Sequence, residues 1–500
     1  MSTATVLLRP APTYTSLRAA AVPLAALCLA FFVEMVDNTL LSVALPTIAR
    51  ALGSGTTGLQ WVTGAYSLTF GGLLLTAGSA ADRFGRRRVL LTGLAVFGLV
   101  SGAVVLVTGI GQLIVLRAAL GCAAAAMAPV TMSLIFRLFD DEKLRMRSIS
   151  VVMVVGMSGF VLGPLLGGTV LAHASWQWLL VVNAPIALIA WIGVRAGVPA
   201  DRREDLTSER LDLPGTALTV AAIGLGCYTL TSGVQHGWLA PVTLACAVGA
   251  VAAVGGFVLR ERQAASPMID LAIFRTGPAR GAAITQLGAS VTMASVMFGL
   301  ILHFQYAYGW SPVRAGLANL PLILTMLLAT PVAEQLATRL GHRRACLVGT
   351  GLLVGSLVGM AWAVEHGYLA IAAMMVVLTT GLRTIMTICA VALVEAMPRN
   401  RTSIGAALND TSQEVGTSLG TAVVGTLIAA LVTTTLPDGA WSPDLVQAYF
   451  AGERVTYLAV AVLVAVIATV GSLSLTDSRT AEEVRTTNEE QVAIGAQPQR

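Results

Sequence analysis

The chain contains repeated apolar stretches of roughly 20 residues, the length that an α-helix needs to cross the hydrocarbon core of a bilayer. Hydrophobic residues make up 56% of its 500 residues and charged residues only 11%. Soluble domains carry about 25% charged residues, and their cores do not need apolar stretches of this length. The sequence therefore predicts an all-α integral membrane protein.

We count fourteen of these stretches and expect each to form one transmembrane helix. The spans are 19–48, 60–81, 88–108, 112–136, 149–171, 179–196, 213–232, 239–259, 281–306, 314–337, 344–363, 368–394, 403–432 and 455–475. We expect five regions: an N-terminal tail (1–18), a six-helix bundle (19–196), a central linker with two extra helices (197–280), a second six-helix bundle (281–475) and a C-terminal tail (476–500).

The distribution of basic residues agrees with this arrangement. With the N-terminus in the cytoplasm, most of the 31 Lys and Arg residues fall in cytoplasmic segments, and the outer loops hold only Arg50, Arg314 and Arg454. Basic residues concentrate on the cytoplasmic side of membrane proteins. We therefore expect a multi-pass protein of the cell membrane with both termini in the cytoplasm, and no nucleic-acid partner.

Lysine is almost absent from the chain. The single lysine, Lys143, follows Glu142, whereas a phosphate-binding loop for ATP needs Lys followed by Ser or Thr. The six cysteines show no metal-ligand spacing. We expect no enzymatic activity, no metal and no cofactor, so the chain cannot draw energy from ATP hydrolysis of its own.

One loop occurs twice. The segment 81–88 (ADRFGRRR) follows the second span, and the segment 337–344 (ATRLGHRR) follows the tenth. If spans 7 and 8 are an inserted pair, the two loops take equivalent places in two halves of six spans each. Parallel repeats of six spans around a site near the midplane are a transporter architecture.

Two carboxylates lie near the middle of the first span. Glu34 and Asp37 are three residues apart and share one helix face. Two neighbouring carboxylates in a low dielectric do not both ionise easily, so they can hold a proton near neutral pH. The alternative is a carboxylate that is merely paired with a polar neighbour.

The other ionisable residues within spans are also candidates, because charges inside a membrane are costly. Arg117 in span 4 needs a buried partner. Arg383 in span 12 is expected to pair with Asp410 or Glu414 of span 13, and depth along the helices favours Glu414. The alternative is that these three residues bind anionic groups of a substrate or take part in proton coupling. His303 in span 9 is either a proton relay or a hydrogen-bonded core histidine.

Span 5 carries a glycine stripe. Glycines spaced by four residues form a groove that another helix can approach closely, and proline bends a helix. The residues concerned are Gly159, Gly163, Pro164, Gly167 and Gly168.

At these residues the chain resembles the major facilitator superfamily, and within it the fourteen-span drug–proton antiporters. The resemblance covers residues 19–475. It rests on five patterns: the loop GSAADRFGRRR (78–88), the stretch VDNTLLSVALP (36–46) in span 1, RAALG (117–121) in span 4, the span 5 glycines, and Trp176-x-Trp178…Asn183-x-Pro185. The span 4 pattern departs from the family at Leu120, where Gln is usual. The span 5 pattern is associated with exporters. The resemblance implies proton coupling at Asp37, Glu34 and Arg117.

The first loop is expected to act as a conformational latch. Asp82 can lie against the positive N-terminal end of span 13, and Arg86 can pair with Asp140 or Asp141 below span 4. Such contacts would close the cytoplasmic side and would have to break in the inward-open state. The latch residues are Gly78, Asp82, Arg83, Gly85, Arg86 and Arg87. The second loop has Thr338 in place of Asp82, so the first loop carries the latch.

These observations together predict a proton-coupled antiporter that exports amphipathic small molecules, such as drugs, antibiotics or toxic metabolites, by alternating access. Its partners are the substrate, protons and the lipid bilayer, and it is expected to act as a monomer. The alternatives are proton-coupled uptake of a small nutrient, and a membrane sensor or scaffold that transports nothing.

Overall fold

A computed structural model describes residues 14–201, 206, 211–264, 271–396, 402–431 and 441–475, and these residues form helices without a strand among them. Single-turn 3-10 segments lie at Val104–Leu106 and Leu271–Arg275, and a π-helical segment lies at His303–Ala307. The α-helices are α1 (Ala21–Leu52), α2 (Thr56–Phe84), α3 (Arg86–Ala103), α4 (Ile110–Leu138), α5 (Glu142–His173), α6 (Gln177–Val181), α7 (Asn183–Gly197), α8 (Leu213–His236), α9 (Pro241–Gln263), α10 (Gly277–Leu302), α11 (Pro312–Leu317), α12 (Leu320–Leu328), α13 (Thr330–Ala363), α14 (Tyr368–Glu395), α15 (Thr402–Leu431) and α16 (Pro443–Ser474).

Within the described part of the chain, eleven helical stretches are long and apolar enough to cross a membrane. The expected spans 2, 5 and 10 fall outside this set. Helices α2 and α5 have 29 and 32 residues, but α2 buries polar side chains and α5 begins with charged residues, which lowers their mean hydropathy. The expected span 10 is divided among α11, α12 and the beginning of α13.

The helices pack as two bundles and a hairpin. In the first bundle α1 packs on α5 and α7, α2 packs on α4, and α3 packs on α4 and α7. In the second bundle α10 packs on α14, α15 and α16, and α13 packs on α14 and α16. Helices α8 and α9 form the hairpin, which contacts both bundles through α8. The two bundles meet along α2 and α15.

The two copies of the repeated loop share one backbone feature. Gly85, between α2 and α3, has a φ of 101° and a ψ of 129°, and Gly341, within α13, has a φ of 78° and a ψ of 168°. L side chains rarely adopt such positive φ values, and glycine adopts them without steric cost. Each glycine therefore lets the chain turn between the helical segments on either side of it.

The turn at Gly85 is also fixed by Asp201, which follows α7. One carboxylate oxygen of Asp201 accepts the backbone N–H of Arg87 at 2.9 Å, and the other pairs with Arg137 of α4 at 3.0 Å. A Cβ at Gly85 would lie 2.8 Å from the Asp201 carboxylate. Asp201 thus satisfies a free N–H at the start of α3 and ties α3 to α4 and α7.

We call the end of the bundles that carries this turn the basic end, and the opposite end, where α1 leads into α2, the far end. Several described contacts between the bundles lie at the far end. Gln305 donates to the Val43 carbonyl at 2.9 Å, and the Tyr306 hydroxyl donates to the Pro46 carbonyl at 3.4 Å. The bundles are therefore in contact at the far end.

The turn at Gly85 leads to a first prediction. Gly85→Ala should destabilise the protein by about 1–3 kcal/mol, because the new Cβ would have a strained φ and would approach Asp201. The measurement is the thermal unfolding midpoint of the purified protein in detergent. The control is Gly78→Ala near the end of α2, where a Cβ would meet no atom within 4 Å. Equal midpoints for the two variants would contradict this account of the turn.

Candidate functional site

A buried ion pair joins α1 to α4. The Arg117 guanidinium donates to the Asp37 carboxylate, and both side chains are 0% exposed. The sequence analysis selected both residues as candidates, but it did not indicate that they contact each other. Because removing two charges from water is costly, such a pair persists only where further hydrogen bonds surround it.

Three helices supply those surroundings. The Asn183 amide at the start of α7 donates to the second Asp37 oxygen at 2.7 Å. Arg117 donates to the Val62 carbonyl at 3.3 Å and to the Asn38 side chain at 3.4 Å, and it lies 4.4 Å from the centre of the Tyr66 ring. Asn183 is a site residue that the sequence analysis did not select. The sequence feature that could have indicated Asn183 is a polar amide at the start of an apolar helix.

Glu34 lies apart from this network. It is 2% exposed, and its Oε2 atom finds no hydrogen-bond partner among the residues that the structure describes. Three positions along a helix leave Glu34 and Asp37 about 60° apart around the axis, so the two share a face but Glu34 does not reach Arg117. It interacts electrostatically with Glu414 and Asp410 of α15 as well as with Asp37. Glu34 therefore adds a further buried carboxyl group at the junction of the two bundles.

The carboxylates of α15 lie on the other side of this junction. Glu414 is hydrogen-bonded to Ser67 of α2, and a Cβ at Gly71 of α2 would lie 2.8 Å from the Glu414 Cβ. Asp410, one turn earlier, is exposed and accepts a hydrogen bond from Asn409 at 3.2 Å. Neither carboxylate has a salt bridge with a described basic residue.

The predicted ion pair between Arg383 and Glu414 or Asp410 is wrong. Arg383 donates to the Thr330 hydroxyl at 3.0 Å and interacts with Glu334 on the same helix, α13. Depth along two helices indicates only that two residues lie at one level. The face that each helix turns to its neighbours decides the contact: α14 turns Arg383 towards α13, and α15 turns Glu414 towards α2.

The predicted latch residues are gathered at the turn between α2 and α3. Arg86 pairs with Asp82 at 2.8 Å rather than with Asp140 or Asp141, because the turn at Gly85 keeps the two side chains adjacent. Arg83 lies over the Phe84 ring at 5.5 Å, and the Arg87 backbone is bound by Asp201. Span 13 begins directly after residues 397–401, which lie outside the described residues, and the expected contact of Asp82 with its N-terminal end stays a prediction.

The glycines of α5 face α1. The Thr39 hydroxyl donates to the Gly159 carbonyl at 3.1 Å. A Cβ at Gly163 would come within 2.7 Å of the Thr39 Cβ, and a Cβ at Gly167 would lie 3.4 Å from Leu40. This stripe lets α1, which carries Asp37, approach α5 closely.

A second face of α5 contacts the other bundle. A Cβ at Gly168 would lie 2.5 Å from the Val313 Cα, and a Cβ at Gly316 would lie 2.6 Å from the Pro164 Cβ. Both contacts are between α5 and α11 at the far end. The predicted antiporter motif thus divides into a face for α1 and a face for α11.

The ion pair leads to a second prediction. Arg117→Ala should destabilise the protein by about 3–5 kcal/mol, because it leaves the Asp37 charge buried without its partner. Arg117→Ala combined with Asp37→Ala should be more stable than Arg117→Ala alone. Arg383→Ala, which removes one hydrogen bond to Thr330, serves as the control and should cost about 0.5–1.5 kcal/mol. Thermal unfolding in detergent measures all three variants, and a double variant no more stable than the single one would disprove the coupling.

Comparisons with known proteins place this geometry in context. A model of the Major Facilitator Superfamily matches residues 27–421 and 282–495. The chain is 31% identical over 462 residues to a puromycin resistance protein of Streptomyces alboniger, covering 89% of each chain. It is 32% identical over 425 residues to the multidrug efflux pump LfrA of Mycolicibacterium smegmatis, covering 84% of this chain and 83% of that one.

A further relative is the tetracenomycin C resistance and export protein of Streptomyces glaucescens, 30% identical over 403 residues, which cover 80% of this chain and 74% of the relative. Among solved structures, a bacterial homologue of the human lysosomal transporter Spinster has a TM-score of 0.65 at 14% identity, covering 91% of this chain and 98% of that one. This likeness concerns the fold. The family match extends over most of the residues that form the two bundles, and the chain belongs to the Major Facilitator Superfamily.

Proposed function

We propose that this protein is a fourteen-span, proton-coupled antiporter of the cell membrane that exports antibiotics and other amphipathic small molecules. The observation that carries the proposal is the buried Asp37–Arg117–Asn183 network beside carboxylates at the junction of the bundles. The names of the relatives, which describe resistance, export and efflux, support export. They do not favour nutrient uptake or a protein that transports nothing.

Fourteen spans require three helical regions beyond the eleven apolar stretches. Helices α2 and α5 have the length to cross a bilayer, and α11, α12 and the beginning of α13 together span a similar number of residues. Their polar and glycine residues face other helices rather than lipid, which makes a lower hydropathy compatible with a membrane position. With the basic end in the cytoplasm, both termini are cytoplasmic and the far end is the outer side.

Asp37 is the proposed proton-coupling residue. Protonation removes the charge of its carboxylate and weakens the bond to Arg117. Arg117 still contacts the Val62 carbonyl, Asn38 and the Tyr66 ring, so its charge keeps partners when the ion pair breaks. Protonation therefore loosens the connection between α1 and α4 without leaving the guanidinium isolated, and this loosening is the step that links a proton to a change of conformation.

The carboxylates Glu34, Glu414 and Asp410 are the proposed polar part of the substrate site. They come from both bundles and have no described cationic partner. A substrate with a cationic or hydrogen-bond-donating group can offset their repulsion, and its apolar part can lie among the surrounding helices. Because protons neutralise the same carboxylates, substrate and proton compete, as antiport requires.

Alternating access requires the far end and the basic end to open in turn. In the structure the far end is held by α5 against α11 and by the contacts of Gln305 and Tyr306 with α1. At the basic end Asp82 is bound to Arg86 within its own bundle. Opening the outer side requires α5 to leave α11, and closing the cytoplasmic side then uses the latch loop. A single chain contains both bundles, so a monomer suffices for this cycle.

Asp37→Asn provides the third prediction. The variant should remain folded and inserted, because the asparagine oxygen can accept from Arg117 and its NH2 group can donate, after the Asn183 amide flips, to Asn183 Oδ1, which has no partner among the described residues. It should lose uphill export because the amide cannot release a proton. Uphill export is measured as substrate accumulation in proteoliposomes with an imposed pH gradient. A second assay measures the exchange of substrate for substrate without a gradient. Asp444→Asn, at an exposed position in the first turn of α16, is the control. Normal uphill export by Asp37→Asn would exclude Asp37 as the coupling residue.

The fourth prediction concerns the contact of α5 with α11. Gly168→Ala should prevent closure of the far end, since its Cβ would meet the Val313 backbone at 2.5 Å. Transport should fall, and a cysteine placed at the far end should react faster with an impermeant thiol reagent. Gly351→Ala is the matched control, because no atom lies within 4 Å of its Cβ. Wild-type transport and labelling in Gly168→Ala would show that the contact is not required for closure.

A further inference from the structure

A second buried ionisable pair lies in the C-terminal bundle. His303 Nδ1 and Glu453 Oε2 are 2.6 Å apart, with side chains 0% and 1% exposed. The sequence analysis considered His303 as a relay or a core residue, and it did not select Glu453, which precedes the last predicted span (455–475). Helix α16 begins at Pro443, so Glu453 lies in its third turn and reaches into the bundle.

The surroundings of the pair are aromatic. The His303 ring lies 4.5 Å from the Tyr308 ring, 5.3 Å from the Phe450 ring and 6.3 Å from the Tyr449 ring. The Tyr457 hydroxyl donates to the other Glu453 oxygen at 3.1 Å. His303 Nε2 is buried and has no hydrogen-bond partner among the described residues. The pair therefore has one ring nitrogen available for a further proton.

Other charges do not compensate the pair. Arg454, the next residue, points away and approaches Glu365 at 3.7 Å, where both side chains are partly exposed. Helix α1 presents the main-chain carbonyls of Val43 and Pro46 to this region, and Tyr368 of α14 lies behind Phe304. The described titratable groups that face the pair are thus tyrosines: Tyr449, Tyr457 and Tyr308.

The proton count of the pair decides its charge. The 2.6 Å contact needs one proton between the two atoms. With that proton alone, a neutral imidazole faces a carboxylate and the pair carries one negative charge. A second proton, taken from water onto the pair, makes it neutral overall. Burial in aromatic surroundings disfavours an uncompensated charge, and the doubly protonated pair carries none.

The same short segment holds the far end shut. His303 begins the π-helical segment His303–Ala307, and Gln305 and Tyr306 of this segment donate to α1 of the other bundle. A π-helical turn is a local irregularity that recurs at functional sites. Movement of this segment would break both contacts to α1 and bring His303 towards water at the far end.

We propose that His303 and Glu453 form a further proton-binding site, separate from Asp37 and from the carboxylates at the junction of the bundles, and that proton binding there keeps the far end closed. The inference rests on the proposed function, since a proton is the coupling ion. A proton that enters from the outer side when the far end is open neutralises the pair and permits its burial. Loss of that proton leaves a buried negative charge, which favours opening.

The experiment measures the opening of the far end directly. Spin labels are placed at the exposed positions Ala51 and Ser311 through Ala51→Cys and Ser311→Cys, after replacement of the six native cysteines. Their separation is measured in lipid nanodiscs between about pH 5 and about pH 8, the range in which histidine changes its charge. The background is Asp37→Asn, which removes the first proposed proton site.

The separation should increase as the pH rises in the Asp37→Asn protein. Adding His303→Gln with Glu453→Gln should abolish the increase, because two amides can hydrogen-bond to each other as a permanently neutral pair. The matched control is His366→Gln with Glu365→Gln, the same substitutions at neighbouring, partly exposed positions, which should leave the increase intact. Tyr457→Phe, which removes one hydrogen bond to Glu453, should move the midpoint of the change without abolishing it.

A pH-dependent opening that persists in the folded His303→Gln, Glu453→Gln protein would overturn the proposal. A separation that does not change with pH before those substitutions would overturn it as well. The proposed function is tested independently, since export by a protein with intact Asp37 does not enter this measurement. If the labels respond as expected but no drug is exported, the site stands and the proposed function fails.

Discussion

The contact of Asp37 with Arg117 constrains the N-terminal bundle more than any other interaction. A carboxylate and a guanidinium that are both removed from water are tolerated only with nearly complete hydrogen bonding. Asn183 of α7, the Val62 carbonyl and the Tyr66 ring of α2 complete the shell. Four helices are thereby held at one point, and a change in the charge of Asp37 acts on all of them.

The two bundles share an architecture but distribute their charges differently. In the N-terminal bundle one network joins the buried acid and base. In the C-terminal bundle Arg383 contacts Thr330, His303 contacts Glu453, and Glu414 is turned towards α2 of the other bundle. This asymmetry separates the proposed roles: a coupling site in one bundle, and carboxylates at the junction that belong to both.

Small residues determine where the bundles can approach and part. Helix α5 fits against α1 through Gly159 and Gly163 and against α11 through Gly168. The repeated loops are also unequal: Asp82 binds Arg86 in the first, whereas the Thr338 hydroxyl in the second donates to the Glu334 carbonyl of its own helix. A contact made of backbone and glycine has little side-chain entropy to lose, which suits an interface that forms and breaks repeatedly.

The sequence by itself determined the helical membrane class, the superfamily and the repeated turn with its glycines, and it selected Asp37, Arg117 and the α5 stripe as candidates. These follow from apolar length, spacing along one helix and a specific loop pattern, all of which are local properties of the chain. The tertiary structure alone decided that Asp37 and not Glu34 binds Arg117, that Arg383 contacts Thr330, that Asn183 donates to Asp37, and that Asp201 and Glu453 are buried partners. Helical periodicity places residues on a common face, but the rotation of each helix about its axis is set by packing against its neighbours, and that rotation decides which charges meet.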